Sequence, residues 1–137
     1  MVEVNFKGVK MNIQTSVLAN SIMVAFATNN TTHIDAHFGS AKEFHIYEIT
    51  QDSYSFYGVI PITTKDTDRT IDLLNGTDIV YFVNIGPAAA AKIINNGIFP
   101  IKYKESVSIN EELAKLMNML GNNPPPFIKK ICERRAS

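Results

Sequence analysis

Two short apolar runs constrain this chain most. Residues 22–27 read Ile-Met-Val-Ala-Phe-Ala, and residues 78–84 read Asp-Ile-Val-Tyr-Phe-Val-Asn. Neither run alternates apolar with polar residues. Each must therefore be covered on both sides, as an inner strand of a sheet lying between helices is. The first run stops at a polar, turn-forming stretch, Thr28-Asn29-Asn30-Thr31-Thr32, and the second at Gly86-Pro87.

The remaining patterns fit around these two strands. Residues 43–49 alternate, with Phe44 and Ile46 on one face and Tyr47 and Ile49 on the other. A turn at Gln51-Asp52-Ser53 leads to a second β-rich stretch, 54–60, which Pro61 closes. This is the pattern of a hairpin. Residues 66–75 predict a short helix, with Asn75-Gly76 as its stop. Pro87 suits a first helical position, so 88–95 predicts a second helix, ended by Asn96-Gly97. Residues 98–103 predict the last strand. Ser108 and Glu111 form a capping box for a third helix, with Ile109, Leu113, Leu116, Met117 and Leu120 on one face and Gly121 as its cap. The order strand, hairpin, helix, strand, helix, strand, helix predicts an α/β fold with a mixed five-stranded sheet flanked by about three helices.

At 137 residues the chain is expected to hold one domain. Its boundaries are expected at an N-terminal extension over 1–20, a core domain over 21–121, and a Pro-rich then basic tail over 122–137. The extension has no continuous apolar stretch of the signal-peptide kind, and no window approaches a membrane span. Lys+Arg and Asp+Glu both number 13, so charge gives no support for nucleic acid or an anionic membrane as partner. The single cysteine, Cys132, excludes an internal disulfide and a multi-thiolate metal framework, and fits a reducing, cytoplasmic setting.

Chemistry can sit in two places. Residues 29–40 follow the first strand and carry His33, Asp35 and His37. In open α/β sheets ligands gather at that edge, and imidazole is a good iron ligand. On the pattern alone a solvated loop is favoured. The run 29–32 has no apolar anchor before Ile34, which predicts an open, mobile loop. The second place is Gly86-Pro87, where free amides of a helix start attract anions. The competing reading there is a tight turn whose small residues let the helix pack on the sheet. His45, inside a strand, reads as a satisfied sheet residue. Cys132 reads as a mobile surface thiol, its pKa lowered by Lys129, Lys130, Arg134 and Arg135.

These segments together resemble the NifX/NafY family, whose domain is also found as the C-terminal part of NifB. The likeness is carried by Val24 to Asn29, by Asp35-Ala36-His37-Phe38-Gly39-Ser40-Ala41, by Asn84-Ile85-Gly86-Pro87-Ala88, and by Gly121-Asn122-Asn123-Pro124-Pro125-Pro126-Phe127. Phe127 stands where the family usually has tryptophan, and residues 1–20 have no family counterpart. The resemblance implies a ribonuclease-H-like sheet without nuclease activity. It implies transient binding of an iron–sulfur metallocluster, the nitrogenase FeMo-cofactor or its precursor. The implied partners are a NifB-like source, a NifEN-like scaffold or apo-nitrogenase. His37 is the implied metal ligand, with His33, Asp35, Phe38, Gly39, Gly86 and Pro87 around it. Lys42 and Arg69 are candidates to offset the cluster's charge. Two other readings stand beside the carrier: a regulatory module that senses a cluster or anion, and a small metal-dependent enzyme using His33, Asp35 and His37.

Overall fold

The computed structural model describes residues 3–6, 9–12 and 21–136. In chain order the strands are Glu3–Phe6 (β1), Val9–Asn12 (β2), Ile22–Thr28 (β3), His33–Ile34 (β4), Glu43–Ile49 (β5), Tyr54–Pro61 (β6), Ile79–Phe82 (β7), Phe99–Lys102 (β8) and Val107–Ser108 (β9). The α-helices are Thr67–Leu73 (α1), Pro87–Asn95 (α2), Ile109–Gly121 (α3) and Pro126–Ala136 (α4). A 3-10 turn covers Phe38–Ser40.

The main sheet has the order β6-β5-β3-β7-β8. β3, β7 and β8 run parallel, β5 is antiparallel to β3, and β6 pairs antiparallel with β5 as the outer strand of the hairpin. This is the expected mixed five-stranded α/β arrangement. β3 lies in the middle, and all seven of its residues are buried. Its period-2 alternation divides the protein into two cores. Met23, Ala25 and Ala27 join Phe44, Ile46, Val80 and Phe82 beneath Ile71 of α1 and Ile93 of α2. Ile22, Val24 and Phe26 join Ile49, Ile79 and Tyr81 beneath Leu113, Leu116 and Leu120 of α3.

Three local features add to the expected picture or correct it. First, four helices flank the sheet, one beyond the three helical stretches read from the sequence. The added one, α4, occupies most of the stretch expected to be a tail. Its Ile128 and Ile131 are buried in the second core. Ile128 and Ile131 are three residues apart and so share one side of a helix. Asp78, at the foot of β7, holds the basic end: it accepts from Arg135 Nε at 2.5 Å and from Arg134 Nη2 at 3.3 Å. Second, Gly121 is the last residue of α3 and not its cap. The chain leaves through Asn122 and then Asn123, whose φ of 48° is a left-handed conformation that asparagine tolerates. Third, within the expected 1–20 extension β1 and β2 pair as a separate two-stranded ribbon. The rest of the expected 1–20 extension lies outside the described residues.

Candidate functional site

The loop after β3 is built by its own polar side chains. Thr28 Oγ1 accepts from the amides of Asn30 (3.2 Å) and Thr31 (2.9 Å). Asn30 Oδ1 accepts from the amides of Thr32 (3.1 Å) and His33 (2.9 Å). Asp35 Oδ1 accepts from the Asn29 amide at 2.7 Å, and Asn29 Oδ1 from the Lys42 amide at 2.8 Å. Such side-chain-to-backbone bonds are what Asn, Asp and Thr offer in turns. The loop therefore has polar anchors where the sequence pattern showed no apolar one. Ile34 is fully buried, and β4 pairs with β9 behind it.

The next residues are stitched to the end of β7. The Val83 amide donates to the Ala36 carbonyl (2.9 Å), and the Phe38 amide to the Asn84 carbonyl (2.8 Å). Ala36 and Phe38 are buried, Phe38 against Phe44 and Phe82. His37 lies between them in the chain and is exposed. The fold thus sinks the flanking residues and presents the imidazole at the C-terminal ends of β3 and β7.

A cavity of about 360 Å³ opens there, lined by His37, Gly39, Ser40, Asn84, Ile85 and Gly86. The structure brings His37, Gly39 and Gly86 together, and Pro87 begins α2 beside them. His33 and Asp35 do not line this cavity. His33 Nδ1 is paired with Thr32 Oγ1 at 2.8 Å, and Asp35 holds the loop backbone. Phe38 is a buried anchor of the turn. Among the described residues no group of three or more His, Cys, Asp or Glu could hold a metal ion, so the three-ligand site of the small-enzyme reading is not formed. Lys42 and Arg69 are also absent from the lining.

The two glycines carry the most information. A Cβ added at Gly39 or at Gly86 would meet nothing within 4 Å. Gly86 has φ −73° and ψ 153°, which any residue adopts. Close packing of the turn on the sheet, one of the two readings of Gly86, therefore does not explain it. What the absent side chains leave is open space in the cavity wall. Gly86 is also the N-cap of α2, with no side-chain cap, and no acidic residue stands in the first turn. The amides of Ala88 and Ala89 are left to face outward at the positive end of the helix. The cavity combines one imidazole, a hydroxyl and an amide side chain, and the start of α2 adjoins it at Gly86. Such a set suits an anionic, acceptor-rich ligand.

Residues 20–119 match the family described as dinitrogenase iron-molybdenum cofactor. The chain belongs to that family. Among its relatives is the NifX protein of Rhodobacter capsulatus, 29% identical over 122 residues, which cover 80% of this chain and 77% of that protein. The NifX protein of Herbaspirillum seropedicae is 30% identical over 122 residues, covering 83% and 84% respectively. The fold is shared with a crystal structure of a Methanocaldococcus jannaschii protein, with TM-score 0.56, 16% identity and coverage of 71% of this chain and 88% of that one.

Ser40, Asn84 and Ile85 were not singled out as site residues from sequence. Their role depends on β7 lying beside the 36–38 segment, which no local pattern reports. The one signal was Asn84 at a strand end directly before Ile85-Gly86-Pro87. Outside the site, His45 is buried and paired with Glu43, as expected for a satisfied sheet residue. Cys132 differs from expectation. It packs against the second core on α4, and burial with the nearby Asp78 charge pushes its thiol pKa up, against the pull of Arg135. No described helix is long and apolar enough to cross a membrane.

Proposed function

We propose that this chain acts in nitrogenase cofactor biosynthesis as a cytoplasmic, non-catalytic carrier. It binds an iron–sulfur metallocluster, the FeMo-cofactor or its precursor, and passes it from a NifB-like source or NifEN-like scaffold toward apo-nitrogenase. The observation that carries the reading is the cavity wall. Two glycines with no steric reason to be glycine flank an exposed His37 at the start of α2. An assembled cluster brings its own sulfides, so a carrier needs few protein ligands, and few ligands let it leave again. In this reading His37 ligates iron. The α2 amides, Ser40 and Asn84 face the sulfides, and Gly39 and Gly86 leave room. His33, Asp35 and Phe38 shape the loop that presents His37.

The test is anaerobic incubation with an isolated precursor cluster, followed by gel filtration with detection of cluster absorbance. His37→Ala is expected to fold normally and to lose affinity on the order of tenfold or more. His33→Ala and Cys132→Ala are expected to lose little. Equal retention by His37→Ala and parent would refute the ligand assignment. Passage of the bound cluster to an acceptor separates the carrier from a sensing module, which would hold the cluster and alter a partner without transfer.

A further inference from the structure

The protein has a second hollow at the opposite end of its parallel strands. A cavity of about 780 Å³ opens between α4 and the turn from α2 into β8. Its walls are mainly apolar: Ile94, Ile98, Phe99, Pro126, Phe127 and Ile131. Phe99 and Phe127 stack with centroids 4.6 Å apart. Phe99 is 42% exposed and Ile94 59%. Single exposed apolar residues are ordinary, but adjoining ones in a concave surface mark a binding site.

The exposed charges that line this groove have one sign. Its ionisable wall residues are Asp78, Lys130 and Arg134. Asp78 is buried, and its carboxylate is matched inside the fold by Arg134, by Arg135 and by the Met23 amide. Lys130 and Arg134 are exposed and four residues apart on α4, so they share one side of that helix. Arg134 is held in place by the Gly97 carbonyl at 3.0 Å as well as by Asp78.

We propose that this groove docks an acidic amphipathic segment of a partner protein. Its apolar side chains fill the space beside Phe99 and Phe127, and its carboxylates meet Lys130 and Arg134. Addition of a partner strand is not the mode. β8 is an edge strand, but Pro100 at its second position has no amide to donate. Recognition therefore runs through side chains. The groove sits at the N-terminal ends of β7 and β8, and the His37 cavity at the C-terminal end of β7. Four strand residues separate the two ends, about 13 Å of strand. A partner seated in the groove leaves the His37 cavity open. The use of this docking in hand-over rests on the carrier reading, whereas the docking itself does not.

The probe is a short fluorescent helix-forming peptide with leucines on one face and glutamates on the other. A matched peptide carries lysines for the glutamates. In anisotropy titrations of the full chain, the glutamate peptide is expected to bind about tenfold more tightly than the lysine peptide. Lys130→Glu is expected to abolish that preference, and Phe99→Ser to weaken binding of the glutamate peptide. Ile94→Ser, on the surface, serves as the second apolar variant if circular dichroism shows Phe99→Ser unfolded. His37→Ala is expected to bind the peptide like the parent, so a failed cluster assignment would not be mistaken for a failed groove. Equal binding of both peptides, binding of neither, or binding lost in His37→Ala would each overturn the proposal. So would a concentration-dependent dimer, seen by sedimentation, that Ile94→Ser or Phe99→Ser abolishes, since the groove would then belong to a second copy.

Discussion

At the residue scale, Gly86 is where two explanations of the same amino acid part. Had it been needed for packing, a side chain there would meet the sheet or force a strained backbone. Neither holds, because the space around its Cβ direction is open and its φ is ordinary. Gly86→Val is therefore expected to cost little stability, under about 1 kcal/mol from the poorer helix N-cap. The same change should cut cluster retention sharply, because the valine methyl groups project into the cavity. Urea unfolding and the gel-filtration assay on one preparation check both parts. A loss of several kcal/mol with retention unchanged would return Gly86 to a packing role. His37 was legible as a candidate because the family resemblance carried it, through Asp-x-His-Phe-Gly after an apolar strand. The open wall around it was not legible. A glycine with free space and a glycine under steric pressure look identical in a sequence. Ser40 and Asn84 were hidden for a related reason, since 44 positions separate them in the chain and only the pairing of β7 beside the loop joins them.

At the element scale, helices with local signals were readable and the one without them was not. α3 announces itself by Ser108, whose hydroxyl accepts from the Glu111 amide at 3.3 Å, and by its apolar stripe. α2 announces itself by Pro87 and by the stop at Asn96-Gly97, where Gly97 takes a φ of 80°. α4 has few apolar residues after three prolines, and isolated helices of its length are marginal in water. It is held by tertiary contacts from 56 and 57 residues away, the Asp78 pairs with Arg134 and Arg135. That dependence makes a sharp prediction. Asp78→Asn keeps the shape but leaves the largely buried Arg135 guanidinium without its carboxylate. Removing one partner of a buried pair costs about 3 kcal/mol. The urea midpoint should fall accordingly. Trypsin should also cut at the Lys and Arg residues of α4 faster than in the parent, because the helix detaches first. An unchanged midpoint with unchanged cleavage would show that Ile128 and Ile131 hold α4 unaided.

At the scale of the whole molecule, one strand organises everything else. β3 pairs with β5 on one side and β7 on the other, and its two faces belong to the two separate cores. An all-apolar run made this centre readable from sequence, since only a strand covered on both faces needs no polar side. The same arrangement orders stability. Amides of Val24, Ala25 and Phe26 can exchange only when both cores and both neighbouring strands are lost. The loop that presents His37 stands outside those cores, apart from Ile34, Ala36 and Phe38, and is held mainly by exposed hydrogen bonds from Asn29, Asn30 and Asp35. Native-state hydrogen exchange should therefore place the β3 amides at the free energy of global unfolding measured in urea. Residues 29–33 should open at a distinctly lower free energy. In the carrier reading, a loop that opens alone, on a centre that does not, would let cargo enter and leave without unfolding the protein. If the amides of 29–33 exchange as slowly as those of β3, the loop and core form one unit. Cluster entry would then have to proceed through the fixed cavity mouth.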